Sequence, residues 1–312
     1  YTENTAKVIE KLIKETFAPE YIDIVQGGRS INELLFKQKF NIIFYTGSPA
    51  VGKVVMRAAA ENLTPVILEL GGKSPCIVDN DANLSVAAKR IIWGKTINAG
   101  QTCIAPDYLF VHESVKDELI EKMKLAIQEM FGYDVQKSKH FGRIVNDKAF
   151  ERLSGYLTNG NIVAGGITDK SERYISPTLL DNIKEGDAIM QEEIFGPILP
   201  IMTFSEIDEA IAYINSNEKP LAFYYFGKSK KAKEILSKTT SGGGCINDTV
   251  VHVANHRLPF GGVGNSGMGK YHGKDSFHAF SNRRSIVFTP TWIDLPLKYV
   301  PYKFFNLIRK II

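Results

Sequence analysis

Apolar residues along this chain switch repeatedly between helical and strand spacing. Ala6, Ile9, Leu12 and Ile13 fall on one face of a helix over 3–16. Tyr21 to Val25 reads as a short strand closed by Gly27 and Gly28, and a second helix is expected over 31–39. The run 41–45 is a strand leading into the turn Thr46 to Gly52, followed by an alanine-rich helix to about Leu63 and a strand over 66–70. Cys76 to Val78 and Tyr108 to Val111 are strand-like, whereas Leu84 to Asn98 and 114–131 carry helical periodicity. A polar loop is expected over 159–173, and strands near 198–204 and 222–226 flank a helix at 206–216. Strand and helix alternating at these lengths predict an α/β fold with a parallel sheet. After Gly273 the glycines stop, and the tail turns aromatic and basic.

Composition narrows the class. The 312 residues are 44% hydrophobic and 23% charged, as in a globular chain rather than a disordered one. The net charge of +4 is spread along the sequence with no basic block, which argues against a nucleic-acid partner. The three cysteines (Cys76, Cys103, Cys245) form no Cys-x-x-Cys unit, pointing to a reducing, cytoplasmic setting and away from structural zinc. His252 and His256 lie four apart without a third ligand, so no metal site is expected. No apolar run approaches the ~20 residues that span a bilayer. The first residues form no signal peptide and lack an initiator methionine, so the sequence reads as starting inside a domain.

Two residues carry candidate chemistry. Cys103 follows a Gly-Gln-Thr turn after a helix, where backbone N–H groups can favour a thiolate; Cys76 and Cys245 abut apolar strands and read as small buried hydrophobes. Glu69 is a carboxylate inside the strand Val-Ile-Leu-Glu-Leu, beside Gly71 and Gly72. It is either ion-paired, for instance with Lys73, or a general base with a raised pKa. The turn Gly47-Ser-Pro-Ala-Val-Gly52-Lys53 between strand and helix leaves N–H groups free for a phosphate, or is a plain turn. Val54 stands where a P-loop needs Ser or Thr, which disfavours a nucleoside triphosphatase. Gly262-x-Gly264-x-x-Gly267 follows no clear strand and has no acidic residue about 20 positions on, so it reads as a bent or mobile loop. In Gln191 to Pro197, Glu193 and Phe195 are either a solvated helix end or a carboxylate and ring placed for a ribose.

Five stretches in this order resemble the aldehyde dehydrogenase superfamily, closest to its class 3 or fatty aldehyde branch: 45–53, 68–75, 98–108, 192–197 and 258–269. The resemblance runs from residue 1 to about 290. It implies a partial Rossmann-like cofactor domain over 1–70, an α/β catalytic domain of the aldehyde dehydrogenase fold over 71–275, and a C-terminal segment over 276–312. It implies NAD- or NADP-dependent oxidation of an aromatic or medium- to long-chain aldehyde to an acid. Cys103 would be the nucleophile that becomes a thioester, with its own N–H as an oxyanion donor, and Glu69 would activate the hydrolytic water. Gly47, Ser48 and Gly52 match the family's pyrophosphate loop, and Glu193 and Phe195 its contacts to the nicotinamide ribose and ring.

The family also has a long segment ahead of the position of Tyr1, with a second oxyanion donor, and losing one such donor costs about 10²–10³ in turnover. The chain alone is therefore expected to lack robust activity. The alternative is an inactive remnant or a non-catalytic association subunit. An acylating enzyme that hands its thioester to coenzyme A is disfavoured by Glu69. A homodimer is implied by resemblance, and the basic, apolar tail 295–312 is expected to pack on a subunit or the substrate mouth, or to touch a membrane surface.

Overall fold

Strands buried on both faces need unbroken apolar sequence, and the runs 76–78, 108–111 and 222–226 supply it. The computed structural model describes residues 2–294, 296–302 and 305–310. The chain divides into two compact units, Tyr1–Ala279 and Phe280–Ile312. In the first unit the strands are β1 (Ile43–Gly47), β2 (Val66–Leu70), β3 (Pro75–Val78), β4 (Tyr108–His112), β5 (Asn161–Ala164), β6 (Thr168–Asp169), β7 (Tyr174–Ile175), β8 (Thr178–Asp181), β9 (Ile198–Phe204), β10 (Ala222–Phe226), β11 (Gly243–Ile246) and β12 (Gly267–Met268).

The larger sheet has the order β11-β10-β3-β4-β9-β8-β5 and is parallel except at β5. Its side chains sort by alternation. Ile77, Phe110, Phe223 and Tyr225 enter one core with Phe150, Leu153, Ile211 and Ile214 of the helices Asp147–Tyr156 and Ile207–Ser216. Cys76, Val78, Leu109 and Tyr224 enter the other, with Ile91, Leu119 and Met123 of the helices Leu84–Thr96 and Lys116–Phe131.

A smaller sheet, β1-β2-β12, has its own core of Val55, Leu68 and Leu70. Its third strand comes from the glycine-rich segment: Gly267 and Met268 pair antiparallel with Glu69 and Leu68. A turn over Gly264–Ser266, closed by the Ser266 hydroxyl bonding Val263 N–H (2.9 Å) and C=O (3.0 Å), delivers it. Of the two readings of that segment, the bent one holds: Ser266 is completely buried.

Other expectations are corrected. Residues 21–25 form no strand; they pair with no neighbour among the described residues, and Tyr21 and Val25 are exposed. The polar loop at 159–173 contains β5 and β6, because Ile162 and Ala164 find pairing partners in β8 and Thr168 and Asp169 find them in β7. The helix expected over 84–98 ends at Thr96, and Asn98 and Ala99 turn left-handed (φ 51° and 53°). In the second unit, Pro296–Lys298 forms a short turn and Phe305–Ile308 one helical turn. Val287, Phe288 and Trp292 are exposed there. Residues 295, 303, 304, 311 and 312 of the tail expectation lie outside the described residues.

The seam between the glycine segment and β2 is the local weak point. Gly267 holds φ 151°, and a Cβ there would lie 2.3 Å from Leu68 O. Gly267→Ala is expected to cost about 1–3 kcal/mol, the range for a strained backbone position. Urea denaturation reads this directly, and an unchanged midpoint would contradict the tight pairing.

Candidate active site

The C-terminal ends of β1 and β2 and the N-terminal ends of β3 and β4 meet at one cleft of about 1080 Å³. Gly47, Ser48, Glu69, Cys103, Glu193 and Phe195 all line it. Gly52 is not among the lining residues. It is buried one turn into the helix Pro49–Ala60, where a Cβ would press on Leu70 at 2.8 Å, so it permits helix and strand to pack closely.

Ser48 caps that helix: its side chain accepts from Val51 N–H (3.4 Å), and Pro49 occupies the first helical position. The helix N-terminus thus opens into the cleft beside Gly47, with the positive end of its dipole facing the space.

Cys103 sits after a left-handed turn. Gln101 locks the turn with its amide, donating to Asn98 O (2.9 Å) and Arg143 O (3.0 Å) and accepting from Val145 N–H (2.9 Å). Below it, the Tyr224 hydroxyl donates to Ile104 O at 2.6 Å. Burial, then the charges of Glu193 and Glu69, push the thiol up to about 11, against its own and Ile104's backbone N–H groups.

Glu69 is 3% exposed, and neither carboxylate oxygen has a hydrogen-bond partner. Burial lifts it to about 7, and the Lys270 ammonium limits the rise. Lys270 does not bond it, donating instead to Gly242 O (3.0 Å) and Gly261 O. The sequence alternative, an ion pair with Lys73, is not what the structure shows. Lys73 Nζ binds Asp107 Oδ1 at 2.5 Å, Ile189 O at 2.9 Å and Glu192 O at 3.0 Å.

Glu193 points its carboxylate onto Gly71, where a Cβ would meet Oε2 at 1.9 Å, and takes the Gly72 N–H. Burial and Asp107's charge raise it to about 8. Phe195 adopts φ 50° and is 39% exposed, so its ring stands in the cleft. Arg152 holds this loop through Glu193 O (3.2 Å) and Ile194 O (2.7 Å), and Asp107 Oδ2 accepts Ile194 N–H at 2.9 Å.

Asp107, Arg152, Lys270 and Lys95 escape a reading by motif. Lys95 is 2% exposed on the helix Leu84–Thr96, and burial lowers it to about 8. A lysine in the last turn, following Ala88, Ile91 and Ile92 on the apolar face of the helix, was the available signal. Cys76 is fully buried as expected, but Cys245 is only half-buried, with Sγ 3.4 Å from His252 Nδ1. Among the described residues, no group of three or more His, Cys, Asp or Glu could hold a metal ion.

Residues 1–286 match the family model described as the aldehyde dehydrogenase family. A Staphylococcus aureus 4,4'-diaponeurosporen-aldehyde dehydrogenase is 52% identical over 97% of this chain and 66% of its own length. A rat dimeric NADP-preferring aldehyde dehydrogenase is 50% identical over 86% of this chain and 61% of its own. The chain thus spans about two thirds or less of these relatives. The structure of substrate-bound AldH from Staphylococcus aureus superposes with a TM-score of 0.96, 50% identity, and coverage of 99% of this chain and 69% of that one. A Staphylococcus aureus betaine aldehyde dehydrogenase in complex with NAD+ gives 0.74 at 28% identity, covering 82% and 53%.

Glu69 gives a pH signature with a fixed sign. Its folded value is raised from 4.5 to about 7, so within that window the folded chain holds a proton the unfolded chain has released. Stability falls as pH rises through the window, and the loss is complete above it. Glu69→Gln is expected to flatten this slope and to be more stable than the parent above about pH 7, with little difference below the ordinary carboxylate range. Denaturation midpoints measured across pH check this, and parallel curves for the two proteins would overturn it.

Proposed function

Because the chain belongs to the aldehyde dehydrogenase family, we propose that it serves the nicotinamide-dependent oxidation of an aldehyde to a carboxylic acid. What supports this reading most is the opening of Cys103 and the unpaired, buried Glu69 onto one cleft that a helix N-terminus also lines. The donors present fit a dinucleotide. Gly47 and the helix N-terminus that follows Ser48 would hold a pyrophosphate, and Glu193 and Phe195 would hold a ribose and ring. A nicotinamide held there supplies the two-electron acceptor. NAD and NADP both satisfy these contacts, and relatives' names include both an NADP-preferring enzyme and an NAD+ complex. Gly52 serves helix–strand packing.

In the proposed reaction, the Cys103 sulfur adds to the aldehyde carbon and gives a thiohemiacetal. The Cys103 N–H faces the oxygen that becomes negative during that addition. Loss of hydride and proton from the thiohemiacetal leaves a Cys103 thioester. Glu69, ionised, takes a proton from water, whose oxygen attacks the thioester carbon; acid and free thiol result. The substrate is an aromatic or medium- to long-chain aldehyde, in keeping with a relative named for a diaponeurosporen aldehyde. The assembly is a homodimer, the state named for another relative.

Cys103→Ser is expected to abolish whatever aldehyde oxidation the chain supports. Glu69→Gln should slow thioester hydrolysis by about 10²–10⁴-fold, so that mass spectrometry finds acylated Cys103 after incubation with aldehyde and oxidised cofactor. Unchanged turnover in Glu69→Gln would sink the role given to that carboxylate.

The tail is proposed to touch an anionic membrane surface: exposed Phe288, Trp292 and Tyr302 accompany Arg283, Arg284, Lys298 and Arg309. No helix among the described residues is long and apolar enough to cross a membrane. Deleting 303–312 should reduce flotation with anionic liposomes, and equal flotation removes the idea.

A further inference from the structure

Three of the stretches that line the pocket lie far apart in sequence, and one ion pair touches all three. Glu69 lies four residues before Lys73, Cys103 lies four residues before Asp107, and Ile194 lies between Glu193 and Phe195. Asp107 is 3% exposed and spends both oxygens: Oδ1 on Lys73 Nζ (2.5 Å) and Oδ2 on Ile194 N–H (2.9 Å). Lys73 spends its remaining donors on Ile189 O (2.9 Å) and Glu192 O (3.0 Å). Asp107 is itself anchored, its N–H bonding Ser74 O at 2.8 Å between the starts of β3 and β4.

We propose that the Lys73–Asp107 pair is the positioning device of this site, fixing the segment that carries Glu193 and Phe195 against the segments that carry Cys103 and Glu69. The proposal rests on the functional reading above for what is positioned, but the weld itself is read from the four side-chain contacts and the backbone bond to Ser74. Neither residue touches the reacting atoms in this scheme. A buried ion pair adds little net stability, because desolvation offsets attraction. What this one does is join loop, strand and nucleophile turn with directional bonds. The carboxylate does two jobs that can be separated: it neutralises Lys73, and it accepts the Ile194 N–H. Asp107→Asn keeps an acceptor for Ile194 while removing the charge, whereas Asp107→Ala removes both.

A control for mere stability exists at the other end of the same sheet. Asp79, fully buried after β3, pairs with Lys231 at 2.6 Å and accepts from the Tyr225 hydroxyl at 2.8 Å, away from the cleft lining. Asp79→Asn breaks a comparable pair.

Two readouts decide the matter. The first is binding of NADH and NADPH by fluorescence titration. Asp107→Ala should weaken it about tenfold or more, the equivalent of one lost positioning contact, and Asp107→Asn should weaken it less. Asp79→Asn should leave it unchanged at whatever melting temperature it shows. The second needs no cofactor: the rate of iodoacetamide alkylation at the Cys103 peptide across a pH series. With the Glu193 loop released, its carboxylate no longer faces the thiol, and Asp107→Ala should be alkylated about threefold faster or more. Asp79→Asn should match the parent.

If both readouts are unchanged in the Asp107 variants while their melting temperatures fall like that of Asp79→Asn, the pair is only structural and the proposal is wrong. If the parent binds neither cofactor, the functional reading fails, and the alkylation profile alone then decides for or against the weld.

Discussion

A carboxylate that must be dry, unbonded and still close to a cleft constrains everything around it. Side chains large enough to bury Glu69 would also fill the space in front of it, so backbone does the covering. Gly267 pairs with Glu69 itself, and Gly261 lies so close that a Cβ on it would stand 3.0 Å from Glu69 Oε1. Gly71 admits the Glu193 carboxylate on the other side. The run of glycines from 261 to 269 is therefore a wall of the site, folded back as the third strand of the small sheet.

Charge is distributed by the same economy of contacts. The cation nearest Glu69 in sequence, Lys73, is fully committed to Asp107 and two carbonyls, so it cannot quench the base. Lys270, the cation that does act on Glu69, has its ammonium tied to the carbonyls of Gly242, just before β11, and Gly261, in the glycine segment. It moderates the carboxylate without forming a salt bridge. Were Lys73 free to reach Glu69, a close opposite charge would pull the carboxyl below its ordinary range and weaken it as a base.

Local pattern made much of this legible. The α/β alternation, the helices at 3–16 and 206–216, and the strands at 66–70 and 222–226 follow from the local pattern of apolar positions; the helix at 206–216 and both strands bury those positions, whereas the helix at 3–16 buries none. Cys103 and Glu69 stood out because a thiol after a turn and an acid in an apolar strand are both locally anomalous. The misses are non-local. Residues 21–25 have strand composition but no partner to pair with among the described residues, and β5 and β6 arise in a polar stretch because β8 and β7 supply edges. Gly52 matched a motif position whose sequence cannot distinguish a phosphate contact from close packing on Leu70. Asp107 and Arg152 act across more than forty positions of chain, on a loop whose approach no local pattern encodes.

The raised acids also order the proposed chemistry in time. Cys103 at about 11, Glu69 at about 7 and Glu193 at about 8 line one cleft, and the charges of Glu193 and Glu69 oppose a thiolate at Cys103. Moving a proton from the resting thiol to Glu69 would cost roughly 5 kcal/mol from these values, so the two groups are poor candidates to ionise as a pair. The reaction does not require them to. Attack needs the sulfur's charge, and once the thioester exists the sulfur carries none. Glu69 can then ionise without a neighbouring thiolate, at the step where water must be deprotonated. A site that tolerates about one such charge at a time is sufficient for both halves of the cycle, and the burial that makes the thiol reluctant at rest is the same burial that keeps Glu69 basic enough to finish it.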